Sequence, residues 1–351
     1  MRAVSLFSGA GGMDRGFEDA GFRTVLACEM NASAADTWRR NFKGSMHQGD
    51  VRLLLPQTEP GMAEILFGGP PCQGYSVAGK MDPHDPRSAL VFSFLEAVGR
   101  IRPAAFVMEN VDALARLEKW RGTLADIRGS AAAIGYSTFV AILDAADFGV
   151  PQSRKRMFAW GSRTLSENDL AAAVERGLAP LRQPRRTARE VFMAFGPAGT
   201  ERNPLGSTAM INFAKSPILR PSPYAGMLFN GAGRPVNPDA PAPTMSASAG
   251  GNKTHIADER QLFGDGTSFA AEYRKRLGEG LPPMKGRAPE YMRRLTLRES
   301  SAFQTFPETF VFEGSQSSVY RQIGNAVPCL LARAAAMAAR SALDSTGRLA
   351  A

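Results

Sequence analysis

Up to Trp160 the apolar positions follow two alternating patterns. Short continuous blocks at residues 4–7, 24–27, 65–67, 105–108, 138–143 and 157–160 read as strands, most of them buried on both faces. Between them, residues 13–20, 32–42, 88–101 and most of 113–134 carry helical spacing. Strand–helix alternation predicts an α/β fold, a mostly parallel sheet with helices on both faces. Ligands of such sheets sit at the carboxyl ends of the strands. From about Ser162 to Glu290 the periodicity fades, and proline, glycine and serine gather in runs such as Pro241-Ala242-Pro243-Thr244-Met245-Ser246. That stretch reads as a second, smaller, loop-rich lobe with few helices. The division expected is 1–161, 162–290, and a return segment 291–351 whose alanine-rich helix at 330–343 packs back on the first unit.

The chain has 351 residues, 44% of them hydrophobic and 21% charged, enough for a sizeable core and too apolar for a disordered polymer. No uninterrupted apolar run of about 18 residues occurs, so no membrane span is expected. The N-terminus turns into a glycine loop too soon for a secretory signal, which makes the cytoplasm the expected compartment. The three cysteines, Cys28, Cys72 and Cys329, and three histidines, His47, His84 and His255, are scattered, so neither a disulfide framework nor a metal site is expected. A net charge of +9 suits a polyanionic partner. Arg182, Arg185, Arg186 and Arg189 open the second lobe, and Arg274, Lys275, Arg276, Lys285, Arg287, Arg293, Arg294 and Arg298 close it. Each cluster alone reads equally as a solvated surface; two flanking an irregular lobe suggest a nucleic-acid cleft.

Four segments carry candidate chemistry. Ser8-Gly9-Ala10-Gly11-Gly12 joins a strand to a helix, Glu29 ends the second strand, and Asp50 stands in Gly49-Asp50-Val51 after a further short strand expected between the blocks at 24–27 and 65–67. A glycine loop, a ribose-accepting carboxylate and a second acceptor together describe an adenosine-type site, although the loop is also read as a mere turn, or as part of a dinucleotide dehydrogenase. Cys72 lies in Gly68-Gly69-Pro70-Pro71-Cys72-Gln73-Gly74, a rigid, sharply bending setting that exposes a thiol, unlike Cys28 and Cys329, which read as inert core. Glu109 follows the strand at 105–108 and reads either as a carboxyl aimed into the crevice or as a carboxylate at a helix N-terminus. In Gln152-Ser153-Arg154-Lys155-Arg156, alternate residues of an extended segment share a face, though a plain basic hairpin has the same pattern.

In order and spacing, these segments resemble the bacterial-type cytosine-C5 DNA methyltransferases. The resemblance rests on Phe7-Ser8-Gly9-Ala10-Gly11-Gly12, Pro70-Pro71-Cys72-Gln73, Glu109-Asn110-Val111 and Gln152-x-Arg154-x-Arg156. It continues in Arg294-Leu295-Thr296-Leu297-Arg298-Glu299, in Gln304-Thr305-Phe306-Pro307, and in Gln322-Ile323-Gly324-Asn325-Ala326-Val327-Pro328. It implies a Rossmann-like methyltransferase sheet with a target-recognition lobe. It also implies methyl transfer from S-adenosylmethionine, leaving S-adenosylhomocysteine, to C5 of a specific cytosine in double-stranded DNA. Cys72 is then the nucleophile that adds to C6 of a base flipped out of the duplex. Glu109 contacts N3 and the amino group of that base, Arg154 holds its O2, and Arg156 lines the pocket.

For the cofactor, the resemblance implies Phe7, Gly9 and Gly11 around the loop, Glu29 on the ribose, and Asp50 and Val51 at the adenine. Met30 replaces the usual adenine-packing residue, Pro70 and Leu90 form walls, and Asn325 and Val327 close over the methionine end. For DNA it implies Gln73, then Ser76 and Arg87 in a mobile loop at 74–87, and Gln152, Thr244, Met245 and Lys253. It implies a monomer without metal or membrane, possibly beside a separately acting restriction endonuclease. A same-fold enzyme acting on RNA and a catalytically dead DNA-binding homologue are the rival readings.

Overall fold

A computed structural model of the chain describes residues 1–71, 90–205, 210–248 and 255–349. The first unit is built on seven strands: β1 (Arg2–Leu6), β2 (Arg23–Glu29), β3 (Ser45–Gln48), β4 (Ile65–Gly68), β5 (Ala105–Val111), β6 (Ser137–Asp144) and β7 (Lys155–Ser162). They lie in the order β3-β2-β1-β4-β5-β7-β6. β7 alone runs antiparallel to its neighbours, and this brings its first residues beside the carboxyl end of β5, with Val111 opposite Arg156. Interleaved helices are α1 (Gly12–Asp19), α2 (Ala32–Asn41), α3 (Val51–Leu54), α4 (Leu90–Ile101), α5 (Asp112–Arg116) and α6 (Arg121–Ala133).

Alternate residues of the central strands feed two cores. Ala3, Ile65, Phe67, Ala105 and Val107 face one side, and Val4, Leu6, Leu66, Phe106 and Met108 face the other. The first face is covered by α1, by α7 (Glu167–Leu178) and by the long C-terminal helix, which is numbered last below. The second is covered by α4 and α6. This is the expected fold class. The helix expected across 113–134 is broken at Leu117, which is extended (φ −90°, ψ 128°) between α5 and a short 3-10 turn.

The second unit contains α8 (Ala188–Phe195), the hairpin β8 (Phe213–Ile218) and β9 (Met227–Phe229), and the small sheet β10 (Arg234–Pro235), β11 (His255–Asp258) and β12 (Met292–Arg294). It also holds α9 (Glu259–Phe263), α10 (Phe269–Gly278) and α11 (Leu297–Phe303). The chain returns through α12 (Gln316–Asn325) and α13 (Cys329–Leu349).

The expected limits of the lobe do not match the cores. Leu165, Leu170, Ala173, Val174 and Leu178 belong to the first core, so the chain stays in the first unit well past residue 162. Leu295 and Phe303 belong to the core of the second unit, so the return begins after residue 291. The lobe is also more helical than its composition suggests. Its helix starts are capped: Glu190 and Thr187 form a capping box at α8, Ser268 caps α10, and Thr296 and Glu299 form a second box at α11.

Among the described residues, the stretch Gln316–Ser345 alone has the length and apolarity of a membrane span, and 67% of its most apolar window is buried inside the protein. Its alanines let helices approach closely. Trp160 on β7 donates to the Ala335 carbonyl at 3.0 Å, and Arg340 donates to the carbonyl of Ala20. Gly177 on α7 faces α13 so tightly that a Cβ there would lie 2.5 Å from the Ala338 Cα and 2.7 Å from the Met337 carbonyl oxygen. Gly177→Ala, although alanine favours helix, is therefore expected to destabilise the fold by about 1–3 kcal/mol. Urea denaturation measures it; an unchanged or raised midpoint contradicts this packing.

Candidate functional site

The carboxyl ends of the neighbouring parallel strands β1, β2, β4 and β5 carry Phe7, Gly9, Glu29, Pro70 and Glu109, the edge at which open α/β sheets bind ligands. The loop after β1 turns sharply: Phe7 and Gly9 both have φ +56° and Gly11 has φ +93°. A phenylalanine in that region is strained, and the surrounding structure has to hold it there. Phe7 packs, half-buried, against the same apolar cluster as Leu90. The Ser8 amide donates to the carbonyl of Cys28, and the Gly9 amide donates to Glu29 Oε2 at 2.8 Å. The other oxygen of Glu29 accepts from the Asn31 amide at 2.7 Å. Glu29 is thus fixed on the loop while each oxygen keeps a second lone pair.

The glycines of this loop do different things. A Cβ on Gly9 would meet nothing within 4 Å, so the backbone there is open to a ligand. A Cβ on Gly11 would collide with the Phe42 ring at 2.3 Å, and one on Gly12 with the Val327 carbonyl oxygen at 2.5 Å. Those two glycines make room for protein. Gly12 thereby sets the last motif against the loop, with Val327 buried and Asn325 exposed.

Met30 is 71% exposed beside Glu29. Asp50 caps α3 through the Arg52 amide and pairs with the Arg52 guanidinium, which pulls its carboxyl below the usual range. Its acceptor capacity is therefore shared with Arg52. The Val51 side chain lies in the sheet's core.

Glu109 is part of β5 itself, and α5 starts only at Asp112, so the reading of Glu109 as a helix N-terminal carboxylate is set aside. Its carboxylate pairs with Arg156 Nε at 2.9 Å, and both side chains are largely covered. Burial pushes the Glu109 carboxyl up, against the opposing pull of Arg156 and Arg154. A Cβ on Gly69 would lie 2.8 Å from Glu109 Oε2, so the carboxylate rests on the backbone that leads into Cys72. Asn110 reaches the buried Pro70, donating to its carbonyl at 3.3 Å. Cys72 itself, with Gln73, Ser76, Arg87 and the 74–87 loop, lies outside the described residues, as does Lys253.

Of the two arginines in the Gln152–Arg156 segment, Arg156 is the one that pairs with Glu109, whereas Arg154, expected on O2 of the base, turns into the protein. Arg154 is 3% exposed, and its Nη1 and Nη2 donate to the carbonyls of Met245 and Gly324 at 2.7 and 3.0 Å. Gln152 is fully buried, expected at DNA but held inside: it donates to Gln304 Oε1 and the Phe303 carbonyl and accepts from the Met245 amide. Met245 is buried in the core of the lobe, while Thr244 is exposed and donates to the Ser153 carbonyl. Two further residues organise the seam: Asp144, which no motif announced, and Gln304, which lies in a motif but had no role assigned. Asp144 accepts from the Ser153 hydroxyl and the Arg154 amide, and Gln304 donates to the carbonyls of Ile323 and Ala326.

Fold and site define an α/β protein with a carboxylate–guanidinium pair at its strand ends. A family model for C-5 cytosine-specific DNA methylases matches residues 1–340. The type II methyltransferase M.HindV of Haemophilus influenzae is 32% identical, the match covering 96% of this chain and 96% of that protein. M.HgiDI of Herpetosiphon aurantiacus, also a type II methyltransferase, is 32% identical over 95% of this chain and 92% of its own. In fold, the chain resembles a putative DNA modification methyltransferase of an E. coli prophage (TM-score 0.66, 19% identity, 98% and 99% covered). It also resembles the S. pombe Dnmt2 methyltransferase (TM-score 0.65, 18% identity, 99% of each chain). The chain belongs to the C-5 cytosine-specific DNA methylase family and is a DNA (cytosine-5) methyltransferase. Among the described residues no cluster of three or more His, Cys, Asp or Glu could hold a metal.

Beneath the nucleotide loop, Asp14 is completely buried, and the Trp38 indole donates to its Oδ1 at 2.9 Å. Burial pushes its carboxyl up to about 7. A carboxyl raised in the folded state holds its proton more tightly than in the unfolded chain, so its contribution is full at low pH and is lost as pH rises through about 7. Asp14→Asn, which mimics the protonated form, should match the native protein near pH 4 and exceed it in stability at pH 8, by up to roughly 4 kcal/mol. Denaturation at the two pH values decides; an equal difference at both contradicts the titration.

Proposed function

We propose that the protein methylates C5 of a specific cytosine in duplex DNA, with S-adenosylmethionine as donor and Cys72 as nucleophile. The observation that carries the reading is the buried Glu109–Arg156 pair resting on Gly69, on the backbone three residues before Cys72. A base placed against this pair meets a carboxyl that burial inclines to keep its proton and a guanidinium fork beside it. Glu109 then hydrogen-bonds N3 and the exocyclic amine, and O2 falls to Arg156 rather than to Arg154. Both contacts stabilise charge as the Cys72 thiolate adds to C6, which turns the ring into an enamine nucleophilic at C5. After C5 takes the methyl group, it loses its proton and the thiolate leaves, restoring the ring. The base reaches these groups only outside the stack, at a cost of a few kcal/mol.

The residues present fit the donor. Gly9 offers open backbone, Glu29 is fixed with free lone pairs toward a ribose diol, and exposed Met30 can cover an adenine face. Bound there, S-adenosylmethionine would supply an electrophilic methyl group. Phe7, Gly11, Asp50, Val51, Pro70, Leu90, Asn325 and Val327 complete or shape that side of the crevice in this reading. The lobe cored by residues 188–303 reads the target, with Thr244, Lys253, Gln73, Ser76 and Arg87 toward DNA. A restriction endonuclease acting separately fits the type II names of the relatives, and in this reading the enzyme works as a monomer.

Cys72→Ser should lower methyl transfer to duplex DNA by at least about 10³-fold while leaving duplex binding within about threefold. Transfer of labelled methyl to duplex DNA and to transfer RNA measures it. Substantial turnover by the variant sinks the nucleophile, and label in RNA alone sinks the DNA reading.

A further inference from the structure

We propose that Gln152 and Gln304 are positioning residues that couple the target lobe to the turn closing the cofactor side, and this rests on the function proposed above. The two amides form an unbroken buried chain. The Met245 amide donates to Gln152 Oε1 at 2.8 Å, and Gln152 Nε2 donates to Gln304 Oε1 at 2.9 Å. Gln304 Nε2 in turn donates to the carbonyls of Ile323 and Ala326. Both glutamines are fully buried. Arg154 runs alongside, with one nitrogen on the Met245 carbonyl and another on that of Gly324. Close backbone contact completes the joint: a Cβ on Gly324 would lie 2.2 Å from the Ser246 carbonyl oxygen.

Met245 therefore has its amide held by Gln152 and its carbonyl by Arg154, and these reach the 323–326 turn, Arg154 directly and Gln152 through Gln304. Met245 is flanked by exposed Thr244 on the lobe, while the turn carries Asn325 and leads to Val327, which abuts Gly12 of the nucleotide loop. A shift of the lobe on binding DNA cannot leave the turn unmoved without breaking buried hydrogen bonds, each costly to leave unmade. DNA binding and cofactor-side closure are thus linked, and linkage is reciprocal.

The test measures how far S-adenosylhomocysteine tightens binding of an unmethylated plasmid fragment that the enzyme methylates, in the native protein and in Gln152→Met, Gln304→Met and the double variant. Methionine keeps the volume and removes the hydrogen bonds; Gln304→Asn, with a shorter amide, serves if a methionine variant does not fold. The native protein should show a tightening of about fivefold or more, each variant less than about twofold, and the double variant no further loss. A structural role alone weakens both affinities without changing that ratio, so an unchanged ratio overturns the proposal. A native enzyme that methylates DNA with a ratio of one also overturns it, leaving the proposed function intact. A native protein that binds neither S-adenosylhomocysteine nor DNA brings down both.

Discussion

A carboxylate taken out of water survives only beside a positive partner, and at Glu109 that partner is Arg156. The arrangement of the crevice follows from satisfying this pair. β7 has to run against its neighbours so that its first residues, not its last, reach the carboxyl end of β5. Gly69 has to lack a side chain so that the carboxylate can settle on the backbone entering Pro70-Pro71-Cys72. The pair then offers a pyrimidine a hydrogen-bonding edge in a region where water is scarce and each interaction counts for more.

Beside it, the nucleotide loop shows how one run of glycines divides its labour. Gly9 leaves space open, while Gly11 and Gly12 are filled by Phe42 and by the carbonyl of Val327. The loop is consequently held from two sides, by α2 and by the last motif, before any ligand arrives. Glu29 fastens it from beneath through the Gly9 amide. Preorganisation of this kind lowers the ordering cost of binding.

Where the second unit meets the first, buried polar atoms join the segments. Gln152, Arg154 and Gln304 satisfy backbone groups that would otherwise be stranded where the segments meet. Inside the lobe, Arg293 plays the same part, pairing with Glu299 and Glu259 so that β12, α9 and α11 close on one guanidinium. Buried polar networks of this kind favour a single arrangement over many.

The sequence alone determined the α/β class, the strand and helix alternation up to Trp160 and the motif set, because hydrophobic period and glycine placement are local properties of the chain. Glu29 and Glu109 were legible for the same reason: each stands at or near the end of a recognisable apolar block. The capped starts of α8 and α11 were also written locally, in Thr187 with Glu190 and Thr296 with Glu299. Only the tertiary structure decided which arginine meets Glu109. Arg154 and Arg156 both lie on the face that alternation predicts, and the outcome depends on carbonyls of Met245 and Gly324, far away in the chain. It also decided that Gln152 is a buried brace and that residues 165–178 stay with the first core, since burial against distant segments leaves no local trace.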